Sequence, residues 1–205
     1  MENFWDKRYA GADYLFGTKP AAGLIALEPH LVAGGKTLVV ADGERRNSVY
    51  LASMGYDVRA TDYSQVAQTK AKALANEAGV DVDFVLSDIY DPDWSARAYD
   101  NVVAIFIQFV PPERMSEIFS ALARATRAGG TLLIHGYTPE QVALGTGSPG
   151  NRDHMYTPDM LAQAFSHMQI TINRAYTATL DEGRGHSGPS ALMISWLRGV
   201  GNGVI

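Results

Sequence analysis

Short apolar runs alternate with amphipathic segments along most of the chain. The runs are nearly continuous in valine, isoleucine, leucine and alanine, as in parallel strands that helices cover on both faces. Alternation of this kind predicts βα units and a mostly parallel sheet. Five strands are predicted in this part of the chain, and they span Thr37 to Ala41, Asp57 to Thr61, Asp81 to Leu86, Asn101 to Ile107 and Thr131 to His135.

The segments between the strands carry helix boundary signals. Ser64 is an N-cap residue and Gly79 is a stop signal, so a helix is predicted between them. Pro111 and Pro112 open a second helix, because proline is tolerated in a first turn. That helix is expected to end before a turn at Gly129-Gly130.

The pattern changes after the fifth predicted strand. Residues 138–156 are rich in glycine and proline and are interpreted as an insertion loop. A helix at about 158–167 follows, and two β-like runs, at 169–180 and 190–197, predict an antiparallel hairpin. The predicted fold class is α/β: a Rossmann-like three-layer α/β/α sandwich with a seven-stranded, mostly parallel sheet and this hairpin at its end.

Length, charge and composition narrow the class of protein. The 205 residues fit a single domain over 1–205. A net charge of -5 argues against a nucleic-acid surface and suits a small-molecule partner. The absence of cysteine excludes disulfides, zinc-thiolate sites and cysteine nucleophiles, and the histidine spacing predicts no metal site. No signal peptide or membrane-spanning run is recognisable, so we expect a cytoplasmic protein without membrane contact.

Polar residues follow each predicted core strand, at the edge where open α/β sheets bind ligands. The turn containing Asp42 and Gly43 comes first, and backbone N–H groups in such a turn can face a ligand. Asp62 lies about 20 residues further on, where a carboxylate accepts ribose hydroxyls, although it can equally cap the helix that begins near Ser64. The motif G-x-G-x-x-G is absent, which argues against a dinucleotide-binding oxidoreductase.

Further candidates follow the later strands. Asp88 is placed to receive an adenine amino group, with Ile89 packed on the ring. A second group consists of candidates for contacts with a substrate that binds beside the adenine-bearing ligand: Gln108, His135, Tyr137, Arg152, His154 and His186. Of these, His135 is the best-placed general base, because it ends the fifth predicted strand, and His186 lies in a glycine-rich loop that can reach the site.

Several motifs together resemble a known family. They are Trp5-Asp6-x-Arg8-Tyr9, Ala41-Asp42-Gly43-Glu44-x-Arg46-Asn47, Val58-x-Ala60-x-Asp62-x-Ser64, Gly136-Tyr137-Thr138-Pro139-Glu140-Gln141 and Glu182-Gly183-x-Gly185-His186-Ser187-Gly188. The chain is similar over nearly its whole length to the small bacterial S-adenosylmethionine (SAM)-dependent methyltransferases of class I that are related to the tellurite-resistance and thiopurine methyltransferases.

The resemblance implies a cofactor and the residues that hold it. SAM would be the methyl donor and S-adenosylhomocysteine the product, and residues 1–20 would form an N-terminal lid. The cofactor-binding residues implied in this way are Trp5, Tyr9, Phe16, Gly17, Asp42, Gly43, Arg46, Asn47, Asp62, Tyr63, Ser64, Asp88, Ile89 and Gln108. The catalytic candidates are Gln108, His135, Tyr137 and His186.

Arg45 departs from the pattern of the resembling family, which has glycine at this position. If the position requires a positive φ, arginine is strained there by about 1 kcal/mol or more. Its long side chain would also be able to crowd the cofactor. This residue keeps an alternative open, in which the chain is a methyltransferase-fold protein that binds SAM, S-adenosylhomocysteine or a partner without catalysis.

The expected reaction is an in-line methyl transfer to a small-molecule acceptor. SAM is already activated, so the protein supplies mainly proximity and alignment. An acceptor of high pKa needs a general base, whereas a soft sulfur, selenium or tellurium nucleophile needs none. The protein is expected to be a monomer or a weak homodimer.

Overall fold

The computed structural model describes residues 4–91, 94, 98–147 and 150–200. In these ranges the helices are α1 (Phe4–Tyr9), α2 (Ala22–Leu27), α3 (Arg46–Ser53), α4 (Gln65–Ala78), α5 (Pro112–Ala125), α6 (Gln141–Leu144) and α7 (Pro158–Ala164). The strands are β1 (Lys36–Val40), β2 (Asp57–Asp62), β3 (Asp83–Leu86), β4 (Tyr99–Ile105), β5 (Thr126–Tyr137), β6 (Gln169–Asp181) and β7 (Ser187–Arg198). Short 3-10 helices span Glu28–His30 and Arg152–His154.

The strands form one seven-stranded sheet in the order β3-β2-β1-β4-β5-β7-β6. Strands β1 to β5 are parallel, whereas β7 pairs antiparallel with both β5 and β6. The predicted fold class, a Rossmann-like α/β sandwich with a C-terminal antiparallel hairpin, is therefore confirmed. The strand order also turns back at β1, because β2 lies on one side of it and β4 on the other. A crevice for ligands forms at such a switch point.

Apolar side chains are buried on both faces of the sheet. On one face Leu38 and Leu132 pack with side chains of α5 and α7, and on the other face Val39 and Leu133 pack with side chains of α2 and α3. Successive strand residues point to opposite faces, so a strand covered on both faces must be apolar at every position. The continuous apolar runs of the sequence have this origin.

Helix α4 has the boundaries that the sequence predicts. The Ser64 Oγ accepts a hydrogen bond from the Ala67 N–H at 3.0 Å, which makes Ser64 the N-cap. Gly79 closes the helix in the left-handed conformation, at φ 67°. Pro111 and Pro112 likewise open α5, as the N-cap and first residue.

The fifth strand begins earlier than predicted. Strand β5 starts at Thr126 rather than Thr131, and α5 ends directly before it. The predicted turn at Gly129-Gly130 is an irregularity in the pairing with β4, with φ 74° at Gly129. A Cβ on Gly130 would lie 2.8 Å from the Asp100 carbonyl oxygen. The glycines indicated a break correctly, but sheet pairing continues on both sides of it.

The fourth strand ends earlier than predicted, at Ile105 rather than Ile107. Phe106 follows with φ 53°, which turns the chain out of the sheet. Residues 106–109 therefore form a loop at the carboxyl end of the sheet. Left-handed backbone at a phenylalanine has no sequence signal, so this boundary was not predictable locally.

The segment 138–156 contains more regular structure than the predicted loop. It includes α6 and a 3-10 helix, and its ends are anchored to the sheet, because the Thr138 N–H donates to Ala191 and the Tyr156 N–H to Tyr137. Residues 148–149 of this segment, and residues 1–3 of the predicted lid, lie outside the described residues. No helix in the described part of the chain has the length and apolarity that crossing a membrane requires.

Candidate active site

A cavity of about 270 Å³ lies at the carboxyl ends of β1 to β4, at the switch point of the sheet. Its lining includes most of the predicted cofactor residues: Trp5, Tyr9, Phe16, Gly17, Asp42, Gly43, Arg46, Asn47, Asp62, Tyr63, Asp88 and Ile89. We call it the first cavity. Parallel strands present their carboxyl ends at one edge, which is why residues distant in sequence meet here.

The turn after β1 forms the floor of the first cavity. The Arg45 N–H donates to the Asp42 carbonyl at 3.0 Å, and the Asp42 Oδ2 accepts from the Ser48 N–H at 3.1 Å. The Oδ1 atom of Asp42 is buried without a hydrogen-bond partner. Burial raises the pKa of the Asp42 carboxyl to about 6, against the lowering effects of its Ser48 hydrogen bonds and the nearby Arg45. A buried, unpaired carboxylate oxygen is a place for a ligand that donates hydrogen bonds or carries positive charge.

The Asp62 carboxylate joins the turn after β1 to the turn after β2. Its Oδ2 accepts from the Gly43 N–H at 2.7 Å, and its Oδ1 accepts from the Ser64 N–H at 2.8 Å. Burial raises its pKa, partly offset by these hydrogen bonds. Each carboxylate oxygen can accept a further hydrogen bond, so both proposed roles, holding the turn and binding hydroxyls, are compatible.

Ser64 is the one predicted cofactor residue besides Gln108 that does not line the first cavity. It is fully buried, caps α4, and donates from Oγ to the Asp6 Oδ1 at 2.6 Å. Its contribution is therefore to α4 and to the position of α1. Asp88, by contrast, is an exposed carboxylate on the cavity wall, and the neighbouring Ile89 is buried beside it.

Left-handed backbone outside glycine is concentrated at this site. Among the described residues, the non-glycine residues with positive φ are Ala41 (48°), Arg45 (73°) and Phe106 (53°), and all three line the first cavity. Backbone strain of this kind persists where surrounding structure fixes it, and it clusters at functional sites.

Arg45 has a φ of 73°, which meets the condition under which the sequence predicts strain, and its side chain is packed into protein. It is completely buried, its guanidinium lies 4.8 Å from the centre of the Phe84 ring, and its Nη1 donates to the Ala60 carbonyl. The guanidinium is therefore held against β2 and β3, while Arg45 also forms part of the lining of the first cavity.

The N-terminal segment covers the first cavity with aromatic rings. Trp5 stacks on Tyr9 at 5.6 Å, and the Tyr9 ring lies edge-on to Phe16 at 6.3 Å. The segment is held by Glu44, which accepts from the Leu15 N–H at 2.6 Å and pairs with Lys70 at 2.7 Å. Residues of the segment 4–20 thus form one wall of the first cavity.

A buried ion pair joins α3 to the loop between β6 and β7. The Arg46 Nη2 lies 2.7 Å from the Glu182 Oε2, and both side chains are buried. The Glu182 Oε1 also accepts from the Ala22 N–H at 2.8 Å, at the start of α2. Arg46 lines the first cavity, but its charge is neutralised by a residue 136 positions away that the sequence did not single out for this role.

A second cavity of about 350 Å³ adjoins the first. The two share five ring-bearing lining residues, Trp5, Phe16, Phe106, Phe109 and His186. We call it the second cavity. It also includes Phe4, Arg8, Gln108, Tyr137 and Gly185.

His186 and Tyr137 form a polar pair between these rings. The His186 Nδ1 lies 2.5 Å from the Tyr137 hydroxyl, and the imidazole stacks on Phe106 at 4.1 Å and makes a tilted contact with Phe16 at 4.5 Å. Burial, and then the charge of Arg46, lower the pKa of His186 to about 3, while burial raises the pKa of Tyr137. The pair is therefore neutral near pH 7. With the hydroxyl donating to Nδ1, the imidazole proton lies on Nε2.

Gln108 lines the second cavity, but both ends of its amide are engaged. Its Oε1 accepts from the Tyr137 N–H at 2.6 Å, and its Nε2 donates to the Tyr137 carbonyl at 2.8 Å. Its side chain therefore joins the loop after β4 to β5.

The other predicted acceptor contacts lie elsewhere. His135 is fully buried, and the structure places it outside both cavities, on the face of β5 that packs against Gly23 of α2, with its Nε2 2.9 Å from the Tyr176 hydroxyl. Burial lowers its pKa to about 3. Arg152 and His154 also lie outside both cavities. Position at the end of a strand did not determine which face of the sheet His135 occupies.

Comparison with known proteins gives the family. A family model described as tellurite resistance protein TehB matches residues 2–143. The chain belongs to the TehB family. A curated relative, Hemagglutinin 1 of Eikenella corrodens, is 35% identical over 107 residues, which are 50% of this chain and 34% of that protein. The chain thus spans about a third of the length of that relative.

Solved structures share the fold of this TehB-family chain. A protein studied for the conversion of a disulfide bond into a thioacetal group during echinomycin biosynthesis has a TM-score of 0.79 at 19% identity, covering 98% of this chain and 92% of its own. TehB from Haemophilus influenzae has a TM-score of 0.69 at 19% identity, covering 96% of this chain and 66% of its own. Magnesium protoporphyrin IX methyltransferase from Synechocystis, with bound S-adenosylhomocysteine, has a TM-score of 0.65 at 16% identity, covering 86% and 78%.

Proposed function

We propose that this TehB-family chain is a SAM-dependent methyltransferase that acts on a small-molecule acceptor. The observation that carries the proposal is the pair of adjoining cavities. The first has carboxylates and a covering of aromatic rings, and the second is lined mainly by aromatic rings. Methyl transfer requires a donor and an acceptor in contact and shielded from water, and two cavities with common walls provide this arrangement.

The donor set of the first cavity fits SAM. That cofactor carries an ammonium group, a sulfonium and ribose hydroxyls, and it supplies an activated methyl group when bound. Asp62 would accept the ribose hydroxyls, and the unpaired Asp42 Oδ1 would accept from the ammonium end. Asp88 and Ile89 would receive the adenine, while Trp5 and Tyr9 would cover the site.

The second cavity, which would hold the acceptor, favours a nucleophile that is already deprotonated. A useful general base has a pKa near the working pH, whereas the pKa of His186 is lowered to about 3 by burial. Such a histidine removes protons poorly at pH 7. A soft sulfur, selenium or tellurium nucleophile needs no base, and an acceptor of this kind is compatible with such a histidine. The Tyr137–His186 pair would orient the acceptor, and Gln108 would hold the loop beside it.

Calorimetric titration with S-adenosylhomocysteine tests the cofactor site. We expect micromolar binding by the wild type and about tenfold or greater weakening in Asp62→Asn, because one of two buried carboxylate acceptors is lost. Asp83→Asn is the matched control, since Asp83 is an exposed carboxylate on the neighbouring strand β3. Absence of binding by the wild type would contradict the proposed function.

A further inference from the structure

The second cavity combines flat apolar walls with one cation. We infer that the methyl acceptor is an aromatic acid, in which a flat ring carries a carboxylate or another anionic group that pairs with Arg8. The inference rests on the proposed methyltransferase function and names the acceptor class for the same site. The inference concerns the ring and the charge of the acceptor, and it does not depend on which atom of the acceptor receives the methyl group.

The shape of the walls favours a flat ring. Trp5 and Phe109 meet edge to face at 5.6 Å, and Phe106 carries the stacked imidazole of His186 at 4.1 Å. Aromatic side chains bind other rings by stacking and edge contacts, in addition to burying their surface. The cavity volume of about 350 Å³ lies in the range of small-molecule pockets and accommodates one or two fused rings.

The charge of the cavity favours an anion. Arg8 is exposed, and its guanidinium stacks over Phe4 at 5.7 Å and Trp5 at 5.5 Å. No carboxylate of the described residues forms an ion pair with it. The described lining contains no aspartate or glutamate either, so an ammonium group would find no counter-charge there. The Arg8 guanidinium lies beside the Phe4 and Trp5 rings, and its planar set of N–H donors matches a carboxylate.

The remaining polar groups disfavour a small, strongly hydrated oxyanion such as selenite or tellurite. Gln108 uses both ends of its amide on Tyr137, and the Tyr137 hydroxyl is joined to His186. An inorganic oxyanion that entered the cavity would lose its water shell and gain few donors in compensation, namely Arg8 and the Nε2–H of His186, which is unfavourable. An aromatic acid instead buries its ring against the walls and keeps its charge beside the exposed Arg8.

Titrations of the complex with S-adenosylhomocysteine test the inference. The probes are naphthoate, naphthylmethylamine, decahydronaphthoate and selenite. Relative to naphthoate, the amine reverses the charge, decahydronaphthoate removes the flatness of the ring system, and selenite is an anion without an organic ring. We expect naphthoate to bind, and the affinity of each of the other three probes to be at least about tenfold weaker. Arg8→Gln is expected to weaken naphthoate about tenfold, and Arg8→Lys to give an intermediate loss, because lysine keeps the charge without the fork. Arg124→Gln, on the exposed side of α5, is the matched control and should bind naphthoate like the wild type.

The outcomes separate the two proposals. If S-adenosylhomocysteine fails to bind the wild type, the proposed function itself is overturned. If it binds and naphthoate does not, or if the amine binds as well as naphthoate, the aromatic-acid inference is wrong and the proposed function stands. Equal binding of decahydronaphthoate overturns the requirement for a flat ring, and tight Arg8-dependent binding of selenite overturns the organic acceptor. Naphthoate affinity unchanged in Arg8→Gln removes Arg8 as the anchor.

Discussion

The hydroxyl of Tyr9 lies directly over Gly43, so that a Cβ at position 43 would be 2.7 Å from the Tyr9 oxygen. Tyr9 belongs to the N-terminal segment and Gly43 to the turn after β1. The N-terminal segment and the turn that forms the floor of the first cavity thus pack closely against each other at Tyr9 and Gly43. The fit depends on the absence of a side chain at Gly43, whose φ of 57° also favours glycine.

A methyl group at position 43 should therefore displace the covering segment. We expect Gly43→Ala to weaken S-adenosylhomocysteine binding about tenfold or more, measured by calorimetry. Adding Tyr9→Phe should restore part of the affinity, because the next ring atom, Cζ, would be 3.4 Å from the new Cβ, a tolerable contact. The left-handed backbone cost of alanine, about 1–2 kcal/mol, remains in the double variant.

Gly79 provides the control for that experiment. Its φ is 67°, close to that of Gly43, but nothing lies within 4 Å of the Cβ it would carry. Gly79→Ala should lower the free energy of unfolding by a similar backbone cost and leave the affinity for S-adenosylhomocysteine unchanged. If Gly43→Ala binds as well as Gly79→Ala, the contact with Tyr9 does not control the site.

Removal of one partner of the buried Glu182–Arg46 ion pair should destabilise the protein strongly. Both side chains are buried, so Glu182→Gln leaves the Arg46 charge without a partner. Breaking a buried pair in this way costs about 3–5 kcal/mol of the free energy of unfolding. Denaturant unfolding monitored by circular dichroism measures the loss. Glu117→Gln, which breaks the exposed Arg114–Glu117 pair, should leave the unfolding midpoint nearly unchanged, and equal effects of the two substitutions would contradict the prediction.

Backbone strain at Arg45 can be isolated by two truncations. Arg45→Gly and Arg45→Ala both remove the contact with Phe84 and the hydrogen bond to Ala60, and differ only in one methyl group. Because φ is 73° at this position, the free energy of unfolding of the glycine variant should be about 1–2 kcal/mol higher than that of the alanine variant. Equal stability in denaturant unfolding would mean that position 45 is not held in the left-handed region in solution.

Acid should destabilise the protein through His135. Burial lowers the pKa of this side chain to about 3, whereas an unfolded histidine has a pKa of about 6.5. The unfolded state therefore binds a proton that the native state does not, and the contribution of the neutral histidine is complete above pH 6.5 and is lost as the pH falls toward 3.

Comparison with His135→Gln isolates this contribution from the other buried groups. The free energy of unfolding of the wild type, relative to the variant, should fall by about 2 kcal/mol between pH 6.5 and 5, since each pH unit corresponds to about 1.36 kcal/mol. Denaturant unfolding across this pH range measures the difference. A constant difference between the two proteins would show that His135 takes up a proton in the native state as well.

Much of the fold follows from local patterns in the sequence. The continuous apolar runs predicted parallel strands covered on both faces, and Ser64 with Gly79 marked α4 to the residue. The glycine pair at 129–130 is an instructive exception, because it looks like a turn locally, yet β5 pairs with β4 on both sides of it. Helix α2 has only six residues and was not predicted, since a single short turn pattern carries little periodicity.

The sequence by itself determined the class of the fold and the position of Asp42 and Asp62 at the carboxyl edge of the sheet, because these depend on the order of short segments. Tertiary structure decided the rest. It directed His135 to the far face of β5, paired Arg46 with Glu182 across 136 positions, and turned Phe106 toward His186. Such outcomes depend on packing between distant segments, which chain periodicity does not encode, because each contact is fixed only when both partners are already in place.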